Sequence, residues 1–208
     1  MSTPSLVFVH GWGFDAGFWH PVRALLPDRA CAAIDLGFTG EVSAPEPPAG
    51  AVAVGHSLGF LWLLERRPFP WRALIAINGF PRFVEGDGFR PAVAARALER
   101  MIAEFDRNPG KVAAEFLVRC GASAPADGFD ARRMAEALRW LLEWDGRRAL
   151  SAETAPVHVL AGRGDPIVPP AMTVAGFAGR QIHWHEGGHL LPQTDPAWCA
   201  ERIVACLA

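Results

Sequence analysis

Short apolar runs rich in β-branched residues recur along the chain, separated by segments whose apolar positions fall at helical spacing. Leu6 to His10 ("LVFVH") is the first run and Ala30 to Asp35 ("ACAAID") the second, with a helix predicted from Phe18 to Leu26 between them. Ala51 to Gly55 and Arg72 to Asn78 ("RALIAIN") repeat the pattern around a helix over Leu58 to Arg67. Pro156 to Gly162 ("PVHVLAG") and Gln181 to His185 add two more strands. These runs lack strict apolar–polar alternation, as strands covered on both faces do, and such strands separated by helices build a parallel sheet between helical layers. The fold class is α/β.

Between the fourth and fifth strands the period changes. Val93, Ala97, Leu98, Met101, Ile102 and Phe105 fall at i, i+4, i+5, i+8, i+9 and i+12, one stripe of an amphipathic helix. Val112 to Cys120 and Arg132 to Trp144 follow the same spacing. The expected organisation is a core from residues 1–80 and 151–208, with a helical lid, 81–150, inserted between two strands. Glu41 to Gly50 ("EVSAPEPPAG") is too rich in proline for a helix and reads as a loop.

A length of 208 residues suits one domain. The longest apolar runs, Ala73 to Ile77 and Leu58 to Leu64, fall short of the roughly 18 residues that cross a bilayer, and Met1 to Ser5 lacks a basic flank, so a soluble cytoplasmic protein is expected. Cys31, Cys120, Cys199 and Cys206 have no metal-type spacing and read as reduced core residues. A net charge of -2 supplies no general attraction to nucleic acid or to an anionic membrane.

Candidate chemistry begins at "AVAVGHSLGF", where Gly55-His56-Ser57-Leu58-Gly59 matches G-x-S-x-G. In that motif a serine sits on a sharp strand-to-helix turn that only small flanking residues allow. A strand is predicted before it and a helix after it, as the motif requires. A serine hydroxyl needs a base to take its proton, and the base needs a partner to hold its tautomer. "GRGDPIVPP" places Asp165 after the fifth strand and "EGGHLLPQTDP" places His189 after the sixth, in the order Ser, Asp, His. Each alone has a plainer reading, an Asp-Pro turn or an idle loop histidine; their joint placement after successive strands favours a triad. The oxyanion of a tetrahedral intermediate needs two N–H donors, for which Leu58 and, in "HGWGFDAGFW", Trp12 are the candidates. His183 and His185 alternate on one strand, but no carboxylate or cysteine supports a metal cluster with His189, so neither a metal nor an organic cofactor is expected. His10 and His56 read as turn-shaping residues.

The stretches "FVHGWGFDAGFW", "VGHSLG", "GRGDPIVP", "GGHLLPQTDPAWC" and, more loosely, "GKVAAEFLVRCGA" resemble the α/β-hydrolase superfamily, and within it the pimeloyl-[acyl-carrier protein] methyl ester esterases of biotin synthesis. The resemblance implies Ser57 as nucleophile, His189 as base and then acid, Asp165 as orienter, and Trp12 and Leu58 as oxyanion donors. It further implies that Phe116, Leu117, Val118, Arg119 and Cys120 line the acyl channel, and that Lys111, Arg132 and Arg133, with Arg119 a further candidate, grip an acyl-carrier protein. The plainer reading of those charges is a solvated helix face.

The chain departs from the family pattern in two places. It begins at the strand before the oxyanion loop, without the usual N-terminal hairpin, and a Pro-rich linker replaces one sheet-covering helix. An open sheet edge of that kind raises the expectation of a homodimer. Methyl ester hydrolysis on a carrier-bound acyl chain is the leading function. The alternatives are a general short-chain carboxylesterase, a carbon–carbon bond hydrolase and a catalytically silent binding protein.

Overall fold

The computed structural model describes residues 4–123 and 128–207. Its sheet has six strands: β1 (Leu6–Val9), β2 (Cys31–Ile34), β3 (Val52–His56), β4 (Ala73–Ile77), β5 (Val157–Gly162) and β6 (Ile182–His185). Every pairing between them is parallel, in the order β2-β1-β3-β4-β5-β6. β1, β3 and β4 are buried at every position, which is why their sequences are unbroken apolar runs. The edge strands β2 and β6 are largely half-buried and tolerate a more mixed sequence.

The chain leaves β1 to form β2 on one side and returns to form β3 on the other. The carboxyl ends of β1 and β3 therefore flank the point where strand order reverses, the place where open α/β sheets hold their ligands.

A 3-10 turn (Ala16–Trp19) and α1 (His20–Ala24) connect β1 to β2, and α2 (Leu58–Arg66) connects β3 to β4. The helix expected over Phe18 to Leu26 is thus split. Asp15 caps the turn by accepting from Gly17 N–H at 2.8 Å, and Pro21 then opens the α-helix proper. The connection from β2 to β3 holds no helix, as its prolines predict; Asp35 N–H donates to the Ser43 carbonyl at 2.7 Å instead.

Among the described residues, four helices lie between β4 and β5: α3 (Ala95–Phe105), α4 (Pro109–Cys120), α5 (Ala131–Glu143) and α6 (Arg147–Ser151). α3 packs on both α4 and α5, burying Leu98, Phe105, Val112, Leu117, Met134 and Leu138. Met101, on the predicted α3 stripe, is only half-buried because it borders a cavity beside Ser57. Residues 124–127, within the expected lid, lie outside the described residues. α7 (Pro170–Gly176) joins β5 to β6, and α8 (Leu191–Thr194) and α9 (Pro196–Ala205) follow β6.

Cys31, Cys120, Cys199 and Cys206 are all free thiols. Burial pushes Cys120 and Cys199 up to about 12, as suits inert packing groups. No helix among the described residues is long and apolar enough to cross a membrane.

Candidate active site

Ser57 joins β3 to α2 at φ 53°, in the region most side chains avoid. Holding it there costs about 1–3 kcal/mol, which the surrounding structure must supply. The flanking glycines make the turn possible. A Cβ on Gly55 would sit 2.5 Å from the Phe60 backbone, and one on Gly59 would sit 2.3 Å from the Val9 carbonyl oxygen. A Cβ on Gly11, after β1, would come within 3.1 Å of Ser57 Cβ, so the β1 loop passes directly against the serine.

The structure brings Ser57, His189 and Asp165 into one hydrogen-bonded chain. Asp165 Oδ1 accepts Ile167 N–H at 2.7 Å and Val168 N–H at 2.8 Å. Its Oδ2 accepts His189 Nδ1–H at 2.7 Å. A carboxylate can only accept, so the proton of the neutral ring sits on Nδ1 and the Nε2 lone pair faces Ser57 Oγ at 3.1 Å. All three residues are buried.

Trp12 and Leu58 border the same cavity as Ser57. Leu58 is the first residue of α2, so its N–H has no intrahelical acceptor. Neither Trp12 N–H nor Leu58 N–H donates to a backbone carbonyl among the described residues. The Trp12 side chain turns into the insertion, where Nε1–H donates to the Met134 carbonyl at 2.9 Å.

The cavity beside Ser57 is about 30 Å³, roofed by Leu98 and Met101 of α3, Phe116 of α4, and Leu138 and Leu141 of α5. The expected lining stretch Phe116 to Cys120 needs correction: only Phe116 borders this cavity. Leu117 packs towards Gly13, Cys120 is buried elsewhere, Val118 is 62% exposed, and Arg119 donates to the Pro166 carbonyl. Successive helical residues turn by about 100°, so five in a row cannot share a face.

Lys111 pairs with Glu104 at 3.8 Å and Glu115 at 4.0 Å, Arg133 pairs with Asp130 at 3.6 Å, and Arg132 is exposed. His185 Nε2 lies 3.0 Å from Asp195 Oδ2, and its Nδ1 accepts Gly187 N–H. No group of three metal-binding side chains occurs among the described residues.

His56 carries more than the turn-shaping role read from sequence, and Asn78 holds a place in the site that sequence reasoning missed. Burial and the neighbouring His189 hold the His56 pKa well below the usual range, so the ring is neutral. Its Nε2–H donates to the His189 carbonyl at 2.9 Å. Asn78 also donates to that carbonyl, at 2.8 Å. The one sequence signal for Asn78 is a polar residue ending an apolar strand at "IAIN".

No protein-family model matches the chain. It is 28% identical over 98% of its length to the biotin biosynthesis bifunctional protein BioHC of Saccharophagus degradans, and spans 44% of that longer protein. The pimeloyl-[acyl-carrier protein] methyl ester esterase of Neisseria meningitidis is 28% identical, with 94% of this chain and 86% of the relative covered. Among solved structures, an esterase from Exiguobacterium antarcticum superposes with a TM-score of 0.83 at 16% identity, covering 100% of this chain and 93% of the other. The chain therefore has the α/β-hydrolase fold and is similar in sequence to the pimeloyl-[acyl-carrier protein] methyl ester esterases.

Proposed function

We propose that the chain cleaves carboxylic esters through an acyl-serine intermediate, and that its substrate is the methyl ester of a pimeloyl chain carried by an acyl-carrier protein. The observation that carries the mechanism is the continuous hydrogen-bonded path from Asp165 through His189 to Ser57, with Trp12 and Leu58 bordering the same cavity as the serine. His189 Nε2 takes the hydroxyl proton as Ser57 Oγ attacks the ester carbon. Trp12 N–H and Leu58 N–H stabilise the oxygen that becomes negative, and Asp165 stabilises the imidazolium. Collapse of the intermediate expels methanol, which leaves with the proton held by His189. Water, activated by the same ring, then releases the free acid.

The substrate assignment is supported by the relatives' names and by the apolar lining of the site. A cavity of about 30 Å³ has room for one small group, on the scale of a methoxy. Its walls are apolar and offer nothing to a charged leaving group. A cytoplasmic location, with a carrier-protein partner meeting Lys111, Arg132 and Arg133, belongs to the same proposal. Such charges act mainly on encounter rate and are salt-sensitive.

A fluorophosphonate probe tests the nucleophile: labelling is expected in the parent and lost in Ser57→Ala, and persistent labelling refutes the assignment. Restored growth without biotin in a strain lacking its own esterase tests the substrate. Failure to rescue despite soluble expression favours the second reading, a general short-chain carboxylesterase. The small cavity and the acid partners of Lys111 and Arg133 speak for that alternative.

A further inference from the structure

We infer that Asn78 is a positioning residue for the base, its carboxamide locking the loop that bears His189 to the loop that bears Asp165; the inference rests on the acyl-serine reading above. Asn78 follows β4 at φ 48°, a conformation that Asn tolerates better than most residues, and it is 1% exposed. Oδ1 accepts Gly162 N–H at 2.8 Å, while Nδ2 donates to the Gly188 carbonyl at 2.9 Å and the His189 carbonyl at 2.8 Å.

Each link reaches a different arm of the site. Gly162 ends β5, and its carbonyl accepts Asp165 N–H at 3.4 Å. Gly188 and His189 belong to the loop after β6. Ile77, the residue before Asn78, accepts Ser57 N–H at 3.2 Å. Asn78 thus spans the supports of Asp165 and His189, and its chain neighbour Ile77 supports the nucleophile.

The base needs this hold. His189 follows Gly187 and Gly188, whose backbones are the least restricted by their own chemistry. Its ring must nonetheless sit within hydrogen-bond reach of both Asp165 and Ser57, so its main chain has to be fixed from outside. Asn78 and His56 do so through one carbonyl. The position calls for an acceptor and two donors on a short stem. Aspartate has no donor and would set its charge against two carbonyl oxygens, serine has one donor, and glutamine is a methylene too long.

The test compares Asn78→Asp and Asn78→Ser in the full chain, using a small ester and a fluorophosphonate. The expected result for Asn78→Asp is a fall in kcat of about 100-fold with little change in KM, since misplacing a reacting group by about 1 Å costs on that order. The final labelled fraction should stay complete while labelling slows. In a His189→Ala background, Asn78→Asp should cost no further activity. A reduced labelled fraction with normal rates at the remaining sites would overturn the proposal, as would an equal further loss without His189. If the Asp variant does not fold, the Ser variant carries the same comparisons; failure of both to fold overturns the positioning role. Labelling that persists in Ser57→Ala refutes the acyl-serine reading itself, independently of these outcomes.

Discussion

Asp165→Asn changes the charge at one position while keeping its shape, and the hydrogen bonds around the side chain dictate how the amide must sit. Turning its nitrogen towards Ile167 and Val168 sets donor against donor and forfeits two buried hydrogen bonds, now 2.7 and 2.8 Å long. At about 1–3 kcal/mol for each unsatisfied group, that arrangement costs several kcal/mol. Turning the nitrogen towards His189 conflicts with a single bond, and the ring can restore it by moving its proton from Nδ1 to Nε2. The second arrangement wins. Nε2 then presents a proton to Ser57 Oγ, 3.1 Å away, and cannot accept one. The expected result is a fall in kcat of about ten-thousand-fold, equivalent to about 5.5 kcal/mol of transition-state stabilisation, with KM and folding little changed. Steady-state ester hydrolysis and fluorophosphonate labelling measure the loss, and nitrogen chemical shifts of His189 report the tautomer. Activity within tenfold of the parent would refute the orienting role of Asp165.

Phe116→Ala should enlarge the cavity and raise kcat/KM for longer acyl esters relative to acetate, at a stability cost of about 2–3 kcal/mol read from urea unfolding; an unchanged chain-length profile would remove Phe116 from the substrate path. Gly59→Ala places a Cβ 2.3 Å from the Val9 oxygen and 2.6 Å from the His10 oxygen, so a loss of about 3 kcal/mol or more is expected. Gly110→Ala on α4 meets nothing within 4 Å and should stabilise by about 0.5–1 kcal/mol, which makes it the control. At Asp35, burial opposes the charge, but the hydrogen bonds it accepts, among them the N–H groups of Ala16 and Gly37, outweigh it and lower the pKa from 3.8 to about 2. Because the folded value is the lower one, the contribution of about 2 kcal/mol is complete above pH 3.8 and is lost as the pH falls towards about 2. Unfolding midpoints of the parent and Asp35→Asn should converge across that window, and parallel curves would refute the assignment.

Features set by chain order were open to sequence reasoning. The apolar runs marked all six strands because a strand buried on both faces leaves a continuous signature. Ser57, Asp165 and His189 could be picked out because each follows a strand, and parallel strands deliver their carboxyl ends to one rim. Features set by neighbours across the sheet were not. Asn78 touches Gly162 and His189, 84 and 111 residues away, and nothing local to "IAIN" announces that. The stretch Phe116 to Cys120 misled for the opposite reason: a contiguous string matched a family pattern, while helical rotation sends its side chains in different directions. The lost helix between β2 and β3 was legible from prolines, but what replaces it was not.

That replacement bears on the oxyanion site. In the proposed mechanism the loop after β1 must be held for Trp12 N–H to face a developing charge, and polar contacts to the β2 loop hold it. His10 Nε2 accepts Leu36 N–H at 2.9 Å, Asp35 accepts Ala16 N–H at 2.9 Å and Gly37 N–H at 2.8 Å, and Asp15 accepts the Thr39 hydroxyl at 2.9 Å. The circuit continues into the insertion: Asp130 N–H donates to the Phe38 carbonyl at 2.7 Å, and the Met134 carbonyl accepts Trp12 Nε1–H at 2.9 Å. Loop β1, loop β2 and the first turn of α5 therefore close on one another. Swinging α5 outwards would break both of those last bonds, at about 1 kcal/mol each, and free the Trp12 loop at the same moment. On the proposed mechanism, an insertion fastened in this way would not open as an independent flap: admitting substrate under α5 would also disturb the proposed oxyanion donor, so pocket access and catalytic readiness would depend on one set of hydrogen bonds.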